Sequence, residues 1–140
     1  MTDVDDSMND WNAQIITEFR ANQGKVAAFG DGPMVILHST GAKSGLQREN
    51  PLVPLLLGDD MYLVASKAGA PSHPDWYYNL KANPRVEIEF GTERFAADTV
   101  EVTGAQRDVL YAKQVEAQPG FAEYEKKTDR VIPVLAVNRV

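Results

Sequence analysis

The chain contains no cysteine, which excludes disulfides, thiolate nucleophiles and sulfur-ligated zinc together. Histidine is almost as scarce. His38 and His73 stand alone, no H-x-x-x-H spacing exists and no Asp/Glu cluster has ligand spacing, so no metal is expected. Long hydrophobic runs are missing too, and no apolar segment approaches the ~20 residues that cross a bilayer. The N-terminus carries Asp3, Asp5 and Asp6 where a secretion signal needs a basic flank and an apolar core. The expectation is a soluble, cytoplasmic protein. Lys and Arg total 14 against 20 Asp and Glu, a formal net charge of −6. Nucleic acid, which is bound by broad faces of Lys and Arg, is therefore not an expected partner.

With 140 residues and 44% apolar composition, there is enough material for one compact domain. Its charge is uneven. Between Ser39 and Arg85 there are five basic residues (43, 48, 67, 81, 85) and four acids (49, 59, 60, 75), so an anion is repelled least in the middle of the chain. Within this stretch, a glycine-punctuated basic loop lies between the apolar runs Met34–Leu37 and Pro51–Leu57. Gly41 and Gly45 tolerate positive φ, so the amides between them are expected to turn free and form a nest for an anion, helped by Lys43 and Arg48. A solvated turn explains the same residues about as well. A Walker loop is excluded because Ala42, not Gly, precedes Lys43. The dinucleotide fingerprint is excluded because Gly41 and Gly45 are four apart and no helical run follows.

Met8, Trp11, Ile15 and Phe19 recur at helical steps, predicting an amphipathic helix from Ser7, its cap, to Gln23. Strands are predicted at Met34–Ser39 and Asn50–Leu57, the second turning at Gly58-Asp59-Asp60 into Met61–Ser66. Pro71, Ser72 and Pro74 introduce a short crossover helix that ends at Asn83-Pro84. Val86, Ile88 and Phe90 alternate with acids, then the chain turns at Gly91-Thr92. In the next run Phe95 is odd while Val100 and Val102 are even, which predicts a β-bulge near Ala96 and Ala97 if both sets face one core. Helices at Gly104–Ala117 and Phe121–Lys127 and a strand at Ile132–Val137 complete the order. This pattern predicts α+β, mostly antiparallel, as a closed or split barrel over residues 34–140, preceded by the acidic segment and helix of residues 1–33.

Four motifs then stand in order: T-G-x-K-S-G-x-x-R-x-N-P at Thr40–Pro51, V-A-S-K-A-G at Val64–Gly69, P-D-W-Y-Y-N-L-K-A-N-P at Pro74–Pro84 and T-D-R-x-I-P at Thr128–Pro133. On these the sequence resembles the deazaflavin (coenzyme F420)-dependent nitroreductases and quinone reductases of actinobacteria, which have a split β-barrel fold. The resemblance implies a reductase that uses coenzyme F420 and passes hydride to a quinone-like, nitro-aromatic or other activated conjugated acceptor. It implies that Lys43, Ser44 and Arg48, with Ala42 and Glu49 beside them, hold the anionic part of the coenzyme. Asn50, Pro51, Leu52 and Val53 would line the deazaflavin ring with Val64, Ala65, Ser66 and Lys67, and Asp75, Trp76, Tyr77, Tyr78 and Asn79 would border it. Without the resemblance, Trp76 reads as a core anchor of its helix. Phe121 and Tyr124 would meet the acceptor, whose oxygen Tyr124 or Ser66 would hydrogen-bond. The chain departs from the family at Ala42, where arginine is common, and at Phe121, where a tyrosine is described. Other readings of the fold are an FMN-dependent oxidoreductase and a non-catalytic carrier of F420 or quinone. A quinone acceptor requires access to lipid, so peripheral contact with the inner face of a membrane belongs to the expectation. No oligomeric state follows from the chain.

Overall fold

A computed structural model describes residues 6–27 and 33–140, with side chains except those of residues 6–10 and 68. Its helices are α1 Asp6–Ala21, α2 Asp75–Ala82, α3 Gly104–Ala117 and α4 Gly120–Lys126. Its strands are β1 Val35–Thr40, β2 Gln47–Leu52, β3 Leu55–Leu57, β4 Asp60–Val64, β5 Arg85–Phe90, β6 Glu93–Val102 and β7 Val134–Arg139. The acidic residues Asp3 and Asp5 lie outside the described residues, as do the side chains of Asp6, Met8 and the expected cap Ser7.

The strands form one antiparallel sheet in the order β2-β1-β5-β6-β7-β4-β3. β2 and β3, consecutive in the chain, are thus its two edges. Only Val53 and Pro54 join them, so the end of β2 lies within about 11 Å of the start of β3. A flat sheet of seven strands would separate its edges by about 29 Å. The sheet must therefore curl, and the two-residue link makes it a split barrel. This also corrects one expectation: the run Asn50–Leu57 is two strands, broken at Val53-Pro54, where proline offers no amide to a ladder.

The expected bulge is absent. β6 pairs with β5 from Glu93 to Asp98 and with β7 from Ala97 to Val102, each in unbroken register. Phe95 and Ala97 pack inside the barrel with Val35, Leu37, Leu63 and Ile88. Val102 packs on the other face with Leu110, Tyr111, Ile132 and Val134, while Val100 is 53% exposed. Both faces of this strand carry apolar residues because α3 covers the outer one, so the change of parity needs no inserted residue.

The outer face at the other end is covered by α1. Ile15, Ile16 and Phe19 bury against Val26, Met34 and Ile36, as the helical stripe predicts, with Trp11 left half exposed. Beside this contact the Arg20 guanidinium spans two strands, donating to Glu89 at 2.7 Å and Glu49 at 2.5 Å. Its hydrogen bond holds the Glu89 carboxyl down at about 2, below the ordinary carboxylate range. A depressed carboxylate stabilises the fold above its unfolded pKa and loses that contribution as pH falls toward 2. Glu89→Gln is accordingly expected to cost about 2 kcal/mol at neutral pH. In urea titrations between pH 7 and pH 2 the deficit should shrink with falling pH; one that does not change with pH would contradict the tether.

Candidate functional site

The basic loop spans Gly41 to Leu46, between β1 and β2. Four of its amides are already used: Gly41 donates to the Leu46 carbonyl at 2.7 Å and Gly45 to the Gly41 carbonyl at 2.9 Å. Ala42 donates to Asn79 Oδ1 at 2.8 Å, and Leu46 to Ser44 Oγ at 3.1 Å. The expected nest of free amides is thus not provided by these four groups. What the loop offers an anion is side-chain chemistry, the exposed Lys43 ammonium and the Ser44 hydroxyl, the latter accepting from Arg48 Nη2 at 3.2 Å. Asn79 comes from α2 and is 1% exposed, so it fixes the loop to the helix from within.

After β4 the chain turns through Ala65 and Ser66 into a 3-10 turn, Lys67–Gly69. Lys67 adopts φ +47°, an uncommon conformation for a residue with a side chain and one that concentrates at functional sites. Arg130 surrounds this segment, donating to the carbonyls of Ala65 at 3.2 Å, Ser66 at 2.6 Å and Ala70 at 2.9 Å, and to His73 Nδ1 at 3.0 Å. Pro74 then opens α2.

On α2, Trp76 and Tyr77 are buried in the barrel core, while Asp75 and Tyr78 are half-buried. The Tyr77 hydroxyl donates to Glu101 at 2.7 Å, and burial first, then this carboxylate, pushes its pKa up to about 12. Asn50, Pro51, Leu52 and Val53 are partly buried along edge strand β2 and its exit, and Glu49 is engaged by Arg20. A cleft of about 420 Å³ begins at Val53 and Pro54 and runs to Ala117 and Gln118 at the end of α3.

α4 lies against the Lys67–Gly69 turn and α3. The rings of Phe121 and Tyr124 meet edge to face, with centroids 4.9 Å apart. Like Val64, they pack against the buried cluster that contains the α3 residues Leu110 and Tyr111. Tyr111 donates its hydroxyl to the Phe121 carbonyl at 2.6 Å, and burial pushes that phenol to about 12. Arg107, itself buried, joins α3 to Glu125 on α4 and to the Ile132 carbonyl. Gly69 lies directly against the Tyr124 backbone. The fold thus brings Ser66 and Tyr124 onto neighbouring segments and links Lys43 and Ser44 to α2 through Asn79.

Two arrangements were not readable beforehand. Arg130 lies in a quoted motif without an assigned role, because its acceptors stand 57 to 65 residues away. His38, Glu49 and Glu89 converge from three strands, with ligand atoms within 4.8 Å of one another, and Arg20 supplies the positive charge between the carboxylates. Strand pairing alone brings them together; their separation matches no sequence motif.

Lys43, Ser44 and Arg48 together form a donor set suited to anionic oxygens, as an acidic coenzyme requires. Comparison with known proteins places the whole chain. The family model described as F420H(2)-dependent quinone reductase matches residues 11–139. A protein named F420H(2)-dependent quinone reductase from Mycobacterium tuberculosis is 36% identical over 126 residues, 86% of this chain and 85% of that one. A solved F420-H2 dependent reductase is 43% identical with a TM-score of 0.69, covering 76% of this chain and 94% of its own. A solved domain-swapped dimer is 40% identical with a TM-score of 0.71, covering 93% and 98%. More distant likeness, such as to a haem storage protein of Vibrio cholerae at 15% identity and TM-score 0.59, concerns the fold alone. The chain belongs to the F420H(2)-dependent quinone reductase family.

Proposed function

We propose that this protein reduces quinones with coenzyme F420H2, binding the acidic end of the coenzyme at the Gly41–Leu46 loop and the acceptor beside α4. The observation that carries this reading is the loop itself: an exposed ammonium, a hydroxyl and a guanidinium on one rim, anchored to α2 by the buried Asn79. When bound, the reduced deazaflavin supplies the hydride, and the protein contributes position and electrostatics.

Lys43, Ser44 and Arg48 take the anionic part of the coenzyme. Residues Asn50 to Val53 and Val64 to Lys67 would hold the ring, with α2 from Asp75 to Asn79 beside them. Buried side chains such as Ala65, Trp76 and Asn79 serve that surface by holding its backbone rather than by touching the ligand. Phe121 and Tyr124 close the acceptor side, and the Tyr124 or Ser66 hydroxyl donates to the acceptor oxygen as it gains charge, an interaction that strengthens in the transition state. Nitro-aromatic compounds present a similar electron-poor oxygen and form a second acceptor class in this reading. Among the described residues no helix is long and apolar enough to cross a membrane. A lipid-borne quinone would therefore be met at the membrane surface.

Fluorescence titration with F420 and, in parallel, FMN tests the cofactor, and preference for FMN would overturn the reading. Tyr124→Phe removes one donor, worth ~0.5–1.5 kcal/mol, so turnover with menadione should fall about two- to tenfold. Unchanged turnover would remove Tyr124 from the mechanism.

A further inference from the structure

Arg130 reaches from the loop between α4 and β7 into the segment after β4, and its acceptors there are three main-chain carbonyls and one ring nitrogen. A guanidinium aimed at carbonyls shapes backbone; it does not neutralise an acid. The carbonyls belong to Ala65, Ser66 and Ala70, and between them lies Lys67 with φ +47°. A left-handed lysine costs about 1 kcal/mol or more and persists only where its surroundings over-determine it. Arg130 provides that constraint from both sides of the strained residue.

His73 completes the ring of acceptors. To receive the Arg130 N–H at 3.0 Å, Nδ1 must be unprotonated. The groups facing the imidazole are the Arg130 guanidinium, the Tyr77 ring at 4.5 Å, the Tyr78 ring at 5.7 Å and, farther off, the Glu101 carboxylate. Burial first, and the Arg130 charge second, push the imidazole below its ordinary range, against an opposing pull from Glu101. A doubly protonated ring would turn an N–H toward the guanidinium and end the hydrogen bond.

We propose that Arg130 is a positioning residue that holds the Ser66–Lys67 backbone in its ligand-ready shape, with neutral His73 completing the clamp, so that coenzyme affinity weakens as His73 protonates in acid. This rests on the ring-lining role given above to Val64–Lys67. The sign follows from linkage: the clamped state disfavours the extra proton, so acid shifts the population toward the loosened segment.

The test uses the whole chain, wild type, His73→Gln and Arg130→Lys, at about pH 7.5 and about pH 4.5, the lower lying well below the ordinary imidazole range because His73 is shifted downward. Amide exchange at residues 66–70 is read without ligand, corrected for intrinsic rates, and F420 affinity is read by fluorescence. Gln keeps an acceptor for Arg130 and cannot titrate. Lysine keeps the charge and cannot span four acceptors. In the wild type, exchange should speed up and the dissociation constant rise about fivefold or more at the lower pH. In His73→Gln these His73-dependent rises should be lost; titration of the coenzyme is common to both proteins and cancels when the wild-type ratio is divided by the variant's. Arg130→Lys should exchange faster at both pH values and bind about tenfold more weakly. Equal pH profiles for wild type and His73→Gln would overturn the proposal, as would wild-type protection in Arg130→Lys; if Arg130→Lys does not fold, the His73→Gln comparison decides. Protection that follows the expected pattern without any F420 binding would overturn the functional reading and leave the clamp standing.

Discussion

Gly69→Ala is expected to lower stability by about 3 kcal/mol, a loss of roughly 10 °C in Tm for a chain of this size. Two effects add. Gly69 has φ +80°, so any side chain pays the left-handed penalty of about 1–2 kcal/mol. A Cβ built there would also lie 2.8 Å from the Tyr124 carbonyl oxygen and 3.0 Å from the Tyr124 Cα. Neither is the flexible end of a side chain, so relief requires α4 to move as a body, and overpacking of this kind costs about 1–3 kcal/mol. If α4 moves, the Phe121 and Tyr124 rings leave their places against Leu110 and Tyr111. Quinone turnover should then fall further than the folded fraction does, as circular dichroism and steady-state rates on one sample would show. Parental Tm together with parental turnover would mean that the contact between α4 and the Lys67–Gly69 turn has no role in either.

Removing Lys43 of the loop together with Arg48 at the start of β2 is expected to have the largest effect on binding. Lys43→Ala combined with Arg48→Gln should weaken F420 binding about a hundredfold, or ~2.7 kcal/mol. Hydrogen bonds to charged groups contribute about 1.5–3 kcal/mol each, and exposure of Lys43 to water and salt holds the sum below twice that. The electrostatic origin gives a second signature. Affinity of the parent should fall as salt is raised, and the double variant should show a flatter dependence. Lys43 is exposed and supports no core contact, so the Tm of a Lys43→Ala control should lie close to the parental value. Equal affinities of parent and double variant would move the coenzyme's acidic end elsewhere on the protein.

Local periodicity was enough for much of this fold. Ile15 and Phe19 on α1, Val86 and Ile88 on β5, and the pair Phe121 and Tyr124 lie on the faces that their spacing predicts. Pairing between distant strands was not legible. Nothing in the run from Asn50 to Leu57 shows that its halves form opposite edges of the sheet, although the proline at position 54 marks where the strand must stop. The bulge expected at Ala96 and Ala97 followed from one buried face for the whole strand, whereas Val102 packs on the second face with α3 residues and Val100 stays exposed, so the register runs unbroken.

The basic loop proposed to take an anion was legible in the sequence through Lys43 and Arg48, but its internal hydrogen bonding was not. Four of its amides close the loop on itself and on Asn79, 37 residues away, so the proposal rests on the charged side chains rather than on those amides. For the same reason Asn79 and Arg130 read as motif letters until the fold showed which backbone each one holds.

The most direct test of the central claim is anaerobic stopped-flow mixing of protein loaded with F420H2 against menadione, following the return of oxidised F420 absorbance. The account predicts rapid, saturable oxidation that depends on the protein and yields one hydroquinone per coenzyme oxidised. Tight binding of F420H2 with oxidation no faster than in buffer would contradict it and make the protein a carrier of the coenzyme.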